Sequence, residues 1–150
     1  MLMAVLMAGG TVMAQTTTIG GSVYGGGALA NTDDTQVNLT GGVIEGNVYG
    51  GGMGDADTAA TVGNTLVNLN KDVANTDKGC VVEGDIFGCN NINGTPLGNA
   101  TVHIYKTQNA AASTIANPAE GEQTAKVGER YDVHAVYGGG NLAAYVPTVA

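Results

Sequence analysis

Five residues recur along this chain with near-identical neighbours, and that recurrence limits the folds open to it more than any other feature. Val23-Tyr24-Gly25-Gly26-Gly27 returns as Val48-Tyr49-Gly50-Gly51-Gly52 and, altered, as Ile86-Phe87-Gly88-Cys89-Asn90. It returns intact as Val136-Tyr137-Gly138-Gly139-Gly140. The preceding residues repeat too: Ile19-Gly20-Gly21-Ser22, Ile44-Glu45-Gly46-Asn47 and Val82-Glu83-Gly84-Asp85 align without gaps, while Asp132-Val133-His134-Ala135 departs. A second motif lies between, as Thr35-Gln36-Val37-Asn38-Leu39, Thr65-Leu66-Val67-Asn68-Leu69 and Ala100-Thr101-Val102-His103-Ile104. The interval from Tyr24 to Tyr49 is 25 residues, and later intervals lengthen through insertions at 71–79 and 108–130. A unit this short cannot close a core alone, so neighbouring units must stack.

Both motifs alternate apolar and polar residues with period two, which predicts half-buried strands. In the first, Ile44, Gly46 and Val48 share one face of a continuous strand. In the second, Thr65, Val67 and Leu69 oppose Leu66, Asn68 and Asn70. Glycine triplets supply corners at the strand ends. The expected fold is all-β, a parallel β-solenoid of glycine-cornered repeats in which Val37, Val67 and Val102 form one column. The alternative is an antiparallel sandwich or prism, because Gly41-Gly42 also suits a hairpin turn.

Composition agrees with an ordered, glycine-rich chain: 25 glycines, no Trp, one Phe, 43% hydrophobic and only 12% charged residues. Net charge is −8, and Lys71, Lys78, Lys106, Lys126 and Arg130 stand apart from one another. Nucleic acid is excluded as a partner, since phosphate binding needs clustered basic groups. Residues 1–14 are uncharged and mostly apolar, too short to span a bilayer, and end in Val12-Met13-Ala14 before Gln15. That predicts an export signal, truncated at its start because no Lys or Arg precedes the apolar run. Residues 15–150 then form the repeat region, incomplete at its C-terminus, with 108–130 looping out.

The units resemble the Val-Tyr-Gly-Gly-Gly repeats of large adhesin-like surface and secreted proteins of gut bacteria, and the leader resembles those of exported Bacteroidetes proteins. The resemblance covers residues 19–140 and is closest over 35–52. It implies an extracellular or cell-surface location and a non-enzymatic module that displays loops on a rigid scaffold to a glycan or protein ligand. It also implies that the same repeat continues in the parent chain. Two other functions stay open: a β-helix carbohydrate-active enzyme and a purely structural stalk.

Four groups of residues bear on that choice. Tyr24, Tyr49, Phe87 and Tyr137 occupy one repeat position and are the ligand-binding candidates, as an aromatic ladder that packs on itself or on sugar faces. Asp33, Asp34, Asp55 and Asp57 are the calcium candidates if the loops place them at one corner of successive repeats, though Asp in a turn needs no metal. Glu45, Glu83 and Asp85 would be the acids of a glycan-cleaving enzyme, and solvated surface acids otherwise. Cys80 and Cys89 read as small residues standing where glycine stands elsewhere. No catalytic residue, cofactor or resident metal is assigned. Asp57-Thr58-Ala59 also matches a short O-glycosylation acceptor pattern.

Overall fold

A computed structural model describes residues 17–73, 79–107 and 132–148, so the leader at 1–14 and the insertion at 108–130 lie outside the described residues. Each of the first three repeats contributes three short strands, one to each of three sheets, and the fourth contributes one described strand to the second sheet. The first sheet holds β1 (Thr18–Ile19), β4 (Val43–Ile44) and β7 (Val81–Val82). The second holds β2 (Val23–Tyr24), β5 (Val48–Tyr49), β8 (Ile86–Phe87) and β10 (Val136–Tyr137). The third holds β3 (Thr35–Leu39), β6 (Thr65–Leu69) and β9 (Ala100–Ile104). There is no helix among the described residues, and none there is long and apolar enough to cross a membrane.

Every strand pair is parallel, and motif equivalence is the register: Thr35↔Thr65↔Ala100, Val37↔Val67↔Val102, Leu39↔Leu69↔Ile104. Parallel pairing requires the chain to travel round and return before it meets its partner. Strands adjacent in sequence therefore belong to different sheets, and no hairpin forms at Gly41-Gly42. That pair turns the chain from β3 in the third sheet into β4 in the first. Gly42 does so at φ +83°, with Thr17 O standing where a Cβ would go.

The first motif corrects the expectation of a continuous strand. It splits into two two-residue strands in different sheets, separated by the corner Glu45-Gly46-Asn47. Ile44 and Val48 both point inward because the chain bends between them, not because they alternate on a straight strand. The bend is tight: a Cβ on Gly46 would lie 2.6 Å from Gly21 C and 2.7 Å from Ser22 N.

The three inner faces meet in one core of Val37, Leu39, Ile44, Val48, Val67, Leu69, Cys80, Val82 and Ile86. Val, Leu and Ile side chains buried this way contribute about 1.5–3 kcal/mol each. Polar motif residues tie one repeat to the next. Asp34 Oδ1 accepts the Asn64 N–H at 2.7 Å, and Asn64 Oδ1 accepts the Asn99 N–H at 2.9 Å. At another corner Ser22 Oγ accepts the Asn47 N–H at 3.0 Å and Asn47 Oδ1 accepts the Asp85 N–H at 2.9 Å. Thr35 and Thr65 donate their hydroxyls to Gly50 O and Gly88 O at 2.6 and 2.5 Å, which lets both be buried.

The degenerate copies keep their place. Cys89 stands at the position of Gly51 and accepts that residue's N–H on its carbonyl at 3.2 Å. Asn90 is fully buried where other repeats have glycine, and donates its amide to Ala60 O. Asp132-Val133 rejoins the stack through the Val82–Val133 bridge and the Val82 N–H to Asp132 O bond at 2.7 Å.

Candidate functional site

The second residue of each second-sheet strand is aromatic, and parallel register places the four rings one strand spacing apart. Ring centroids are 4.8 Å apart for Tyr24–Tyr49, 5.1 Å for Tyr49–Phe87 and 5.0 Å for Phe87–Tyr137, with interplanar angles of 9–12°. Each contact of this kind contributes about 0.5–1.5 kcal/mol beyond area burial. The rings cover one another's faces, leaving Tyr49 2% and Phe87 6% exposed. Tyr137, at the end of the column, is 47% exposed. Asn47 Nδ2 donates to Tyr49 Oη at 3.1 Å and Asn91 Nδ2 to Tyr24 Oη at 2.9 Å. Burial raises the Tyr49 phenol above its ordinary value, against the Asn47 hydrogen bond. Of the four candidates, Tyr137 presents the most surface to an outside molecule.

The segments joining the second sheet to the third emerge on one common side. They are stacked too, through the parallel bridges Thr32–Val62–Pro96 and the bonds from Gly54 N to Ala28 O (2.7 Å) and from Ile92 N to Met53 O (2.9 Å). A groove of about 870 Å³ runs along this side, lined by Asn31, Asp33, Asp34, Thr61 and Leu97 among others.

The calcium candidates are not brought to one corner. Asp34 is in register with Asn64 and then Asn99, whereas Asp55 and Asp57 belong to the longer second loop, which packs on Asn93. The Asn64 backbone N–H, then its side chain, holds the Asp34 carboxyl below the ordinary carboxylate value. Asp55 Oδ1 accepts the N–H groups of Asp57 and Thr58 at 3.0 and 2.6 Å, closing a local turn. Loop length differs between repeats, so proximity to the glycine triplet did not translate into equivalence. Among the described residues no three His, Cys, Asp or Glu side chains converge.

Glu45 and Glu83 fall in adjacent repeats at one position, through the Ile44↔Val82 register, and both are exposed. Asp85 has a partner that the sequence did not reveal: His134 Nδ1 lies 2.7 Å from Asp85 Oδ1. His134 lies in the one upstream quartet that departs from the repeat, and 49 residues separate the pair. Only the register could have linked them. His103 meets Tyr105 edge-on, with centroids 5.7 Å apart.

Cys80 and Cys89 are free, buried thiols. Cys80 occupies the Gly42 position and Cys89 the Gly51 position, as the register expects. Burial pushes both up from 9.0 to about 11, with the Asp132 charge adding to the effect at Cys80. At pH 8 the thiolate fraction of each is then roughly 100-fold below that of a free cysteine. Mass-spectrometric counting of iodoacetamide adducts should find neither modified in the folded chain over minutes and both in denaturant. The linked effect on stability has a definite sign. Folding favours the protonated thiols, so their contribution holds below about pH 9 and is lost as pH rises from there towards about 11.

Comparison with protein-family models, with curated proteins and with solved structures gives no match.

Proposed function

We propose that this chain is a parallel β-solenoid serving as a non-enzymatic, adhesin-like module of the bacterial surface or secreted space, which displays its loop side to an extracellular glycan or protein ligand. The observation that carries the reading is the shared emergence of the variable segments on one side of a stack whose strands stay in strict register. Loops of unequal length on a regular scaffold are where binding residues concentrate in proteins of this build. The exposed acids Glu45 and Glu83 do not line the loop-side groove, which favours display over glycan cleavage.

The test has two parts. Mass spectrometry of envelope and culture fluid should find a mature chain beginning near Gln15, and an intact Met1 confined to the cytoplasm would defeat the export reading. A glycan and mucin binding array should then retain the folded chain. Replacing 55–59 by a Gly/Ser segment should abolish that retention without changing the melting temperature. The Glu45→Gln/Glu83→Gln double variant should bind as the parent does. Loss of a polysaccharide-cleaving activity in that variant would establish the enzyme instead, and absence of any retention would leave a structural stalk.

A further inference from the structure

Asn93 ties two repeats together on the loop side. Its Nδ2 donates to Asp55 O at 2.9 Å, and its carbonyl accepts the Ala60 N–H at 3.4 Å and the Asn90 amide at 3.3 Å. Asp55 closes the turn over 55–58 by accepting the Asp57 and Thr58 N–H groups. The amide of Asn93 therefore holds the loop of one repeat against the next. A carboxylate in its place has no proton to donate to Asp55 O.

The fold also restricts the residue after it. Gly94 has φ +98°, and a Cβ there would lie 2.6 Å from Ala60 O and 2.7 Å from Ala60 N. Both facts require glycine. The two positions together make an Asn-Gly pair, and Asn93 alone among the asparagines of this chain precedes a glycine. Without a Cβ beside it, the Gly94 nitrogen is unshielded. It is also held against the neighbouring carboxamide: the Gly94 N–H donates to Asn93 Oδ1 at 2.8 Å, and Cγ is one bond further. Holding two reacting groups together in this way removes much of the entropic barrier to their reaction. Both residues are half-buried and open to water on one side.

We propose that Asn93-Gly94 is a self-modification site, at which Asn93 is hydrolysed to aspartate and isoaspartate within the folded chain. The Gly94 nitrogen gives up its proton to hydroxide and bonds to Asn93 Cγ. The Cγ–Nδ2 bond breaks, and Nδ2 leaves as ammonia with a proton from water. Water then opens the resulting cyclic imide. Cleavage of the bond from Cγ to nitrogen gives aspartate, and cleavage of the bond from the backbone carbonyl carbon to nitrogen gives isoaspartate, with the chain now running through Cγ. Either product loses the bond from Nδ2 to Asp55 O, and isoaspartate also shifts the carbonyl that Ala60 N–H meets. The modification thus releases the loop at 55–60 from the third repeat. This goes beyond the display function and does not depend on any loop ligand.

The test ages the full folded chain at neutral and at mildly alkaline pH and follows it by peptide mapping with mass spectrometry. Fragments containing Asn93 should gain about 1 Da, faster at the higher pH because the attacking nitrogen must lose its proton. Conversion at Asn91, followed by Ile92 in the same loop, should be slower by on the order of tenfold. An isoaspartyl methyltransferase should label the aged chain and not the fresh one. Hydrogen exchange on the aged chain and on the Asn93→Asp variant should show the amides of 57–60 losing protection, while Val67 in the third sheet keeps its own. An Asn93 that stays intact, equal conversion at Asn91 and Asn93, or an aged chain whose 57–60 amides exchange as before would overturn the proposal.

Discussion

Replacing Phe87 by alanine is expected to cost about 3–5 kcal/mol, the range for removing a buried phenylalanine. Phe87 is sandwiched between Tyr49 at 5.1 Å and Tyr137 at 5.0 Å, so the deletion removes two ring contacts and leaves a ring-sized void. For a domain of about 100 residues such a loss lowers the melting temperature by on the order of 15 °C. Tyr137→Ala removes one contact from a ring that is already 47% exposed, and should cost about 1 kcal/mol. Circular-dichroism melts of the two variants decide the matter. Equal shifts would mean that the column does not pack as described. The same pair separates structure from binding, because Tyr137 is the ring with surface to offer a ligand.

Gly50→Ala is expected to cost about 3 kcal/mol, at the upper end for forcing atoms into a packed site. A Cβ there would run into Gly88 O and lie 3.1 Å from Gly88 C and 3.2 Å from Thr65 Cβ. The obstacle is backbone of the next repeat, which cannot swing aside as a side chain does. Gly138 occupies the same place in the same Val-Tyr-Gly-Gly-Gly motif, yet a Cβ there would meet nothing within 4 Å. Gly138→Ala should therefore leave the urea midpoint almost unchanged. The contrast isolates stacking: the motif is shared, and among the described residues a neighbouring copy lies against Gly50 but none lies against the same side of Gly138. If both substitutions were harmless, the repeats would not approach as closely as the fold requires.

Much of this architecture was legible from repetition. Aligning Val37, Val67 and Val102 by motif amounted to stating a register, and the aromatic positions inherited theirs from the same alignment. The two cysteines could be placed at glycine positions for the same reason. Three things were not legible. The bend at Glu45-Gly46-Asn47 looked like part of a strand because a chain that turns between Ile44 and Val48 keeps the same apolar spacing as one that alternates. Asp33-Asp34 and Asp55–Asp57 both follow a glycine triplet, but the loops are of unequal length, and only the stack sets Asp34 against Asn64 and Asp55 against Asn93. The pairing of Asp85 with His134 crosses 49 residues into the one quartet, 132–135, that departs from the repeat.

By itself the sequence determined the repeat, the strand-forming pattern and which residues share a column, because a periodic chain that cannot bury a single unit must bury equivalent residues against each other. Tertiary structure alone decided that three sheets are used and that the chain turns at Gly46, and it chose the expected parallel pairing over the antiparallel alternative. Those depend on which way backbone groups point after each corner, and a Gly-Gly pair permits more than one direction. Tertiary structure also decided what each polar group does. Whether Asp34 holds the next repeat or faces solvent turns on a neighbour 30 residues away. Local sequence carries no record of that neighbour until the stack brings it within hydrogen-bond reach.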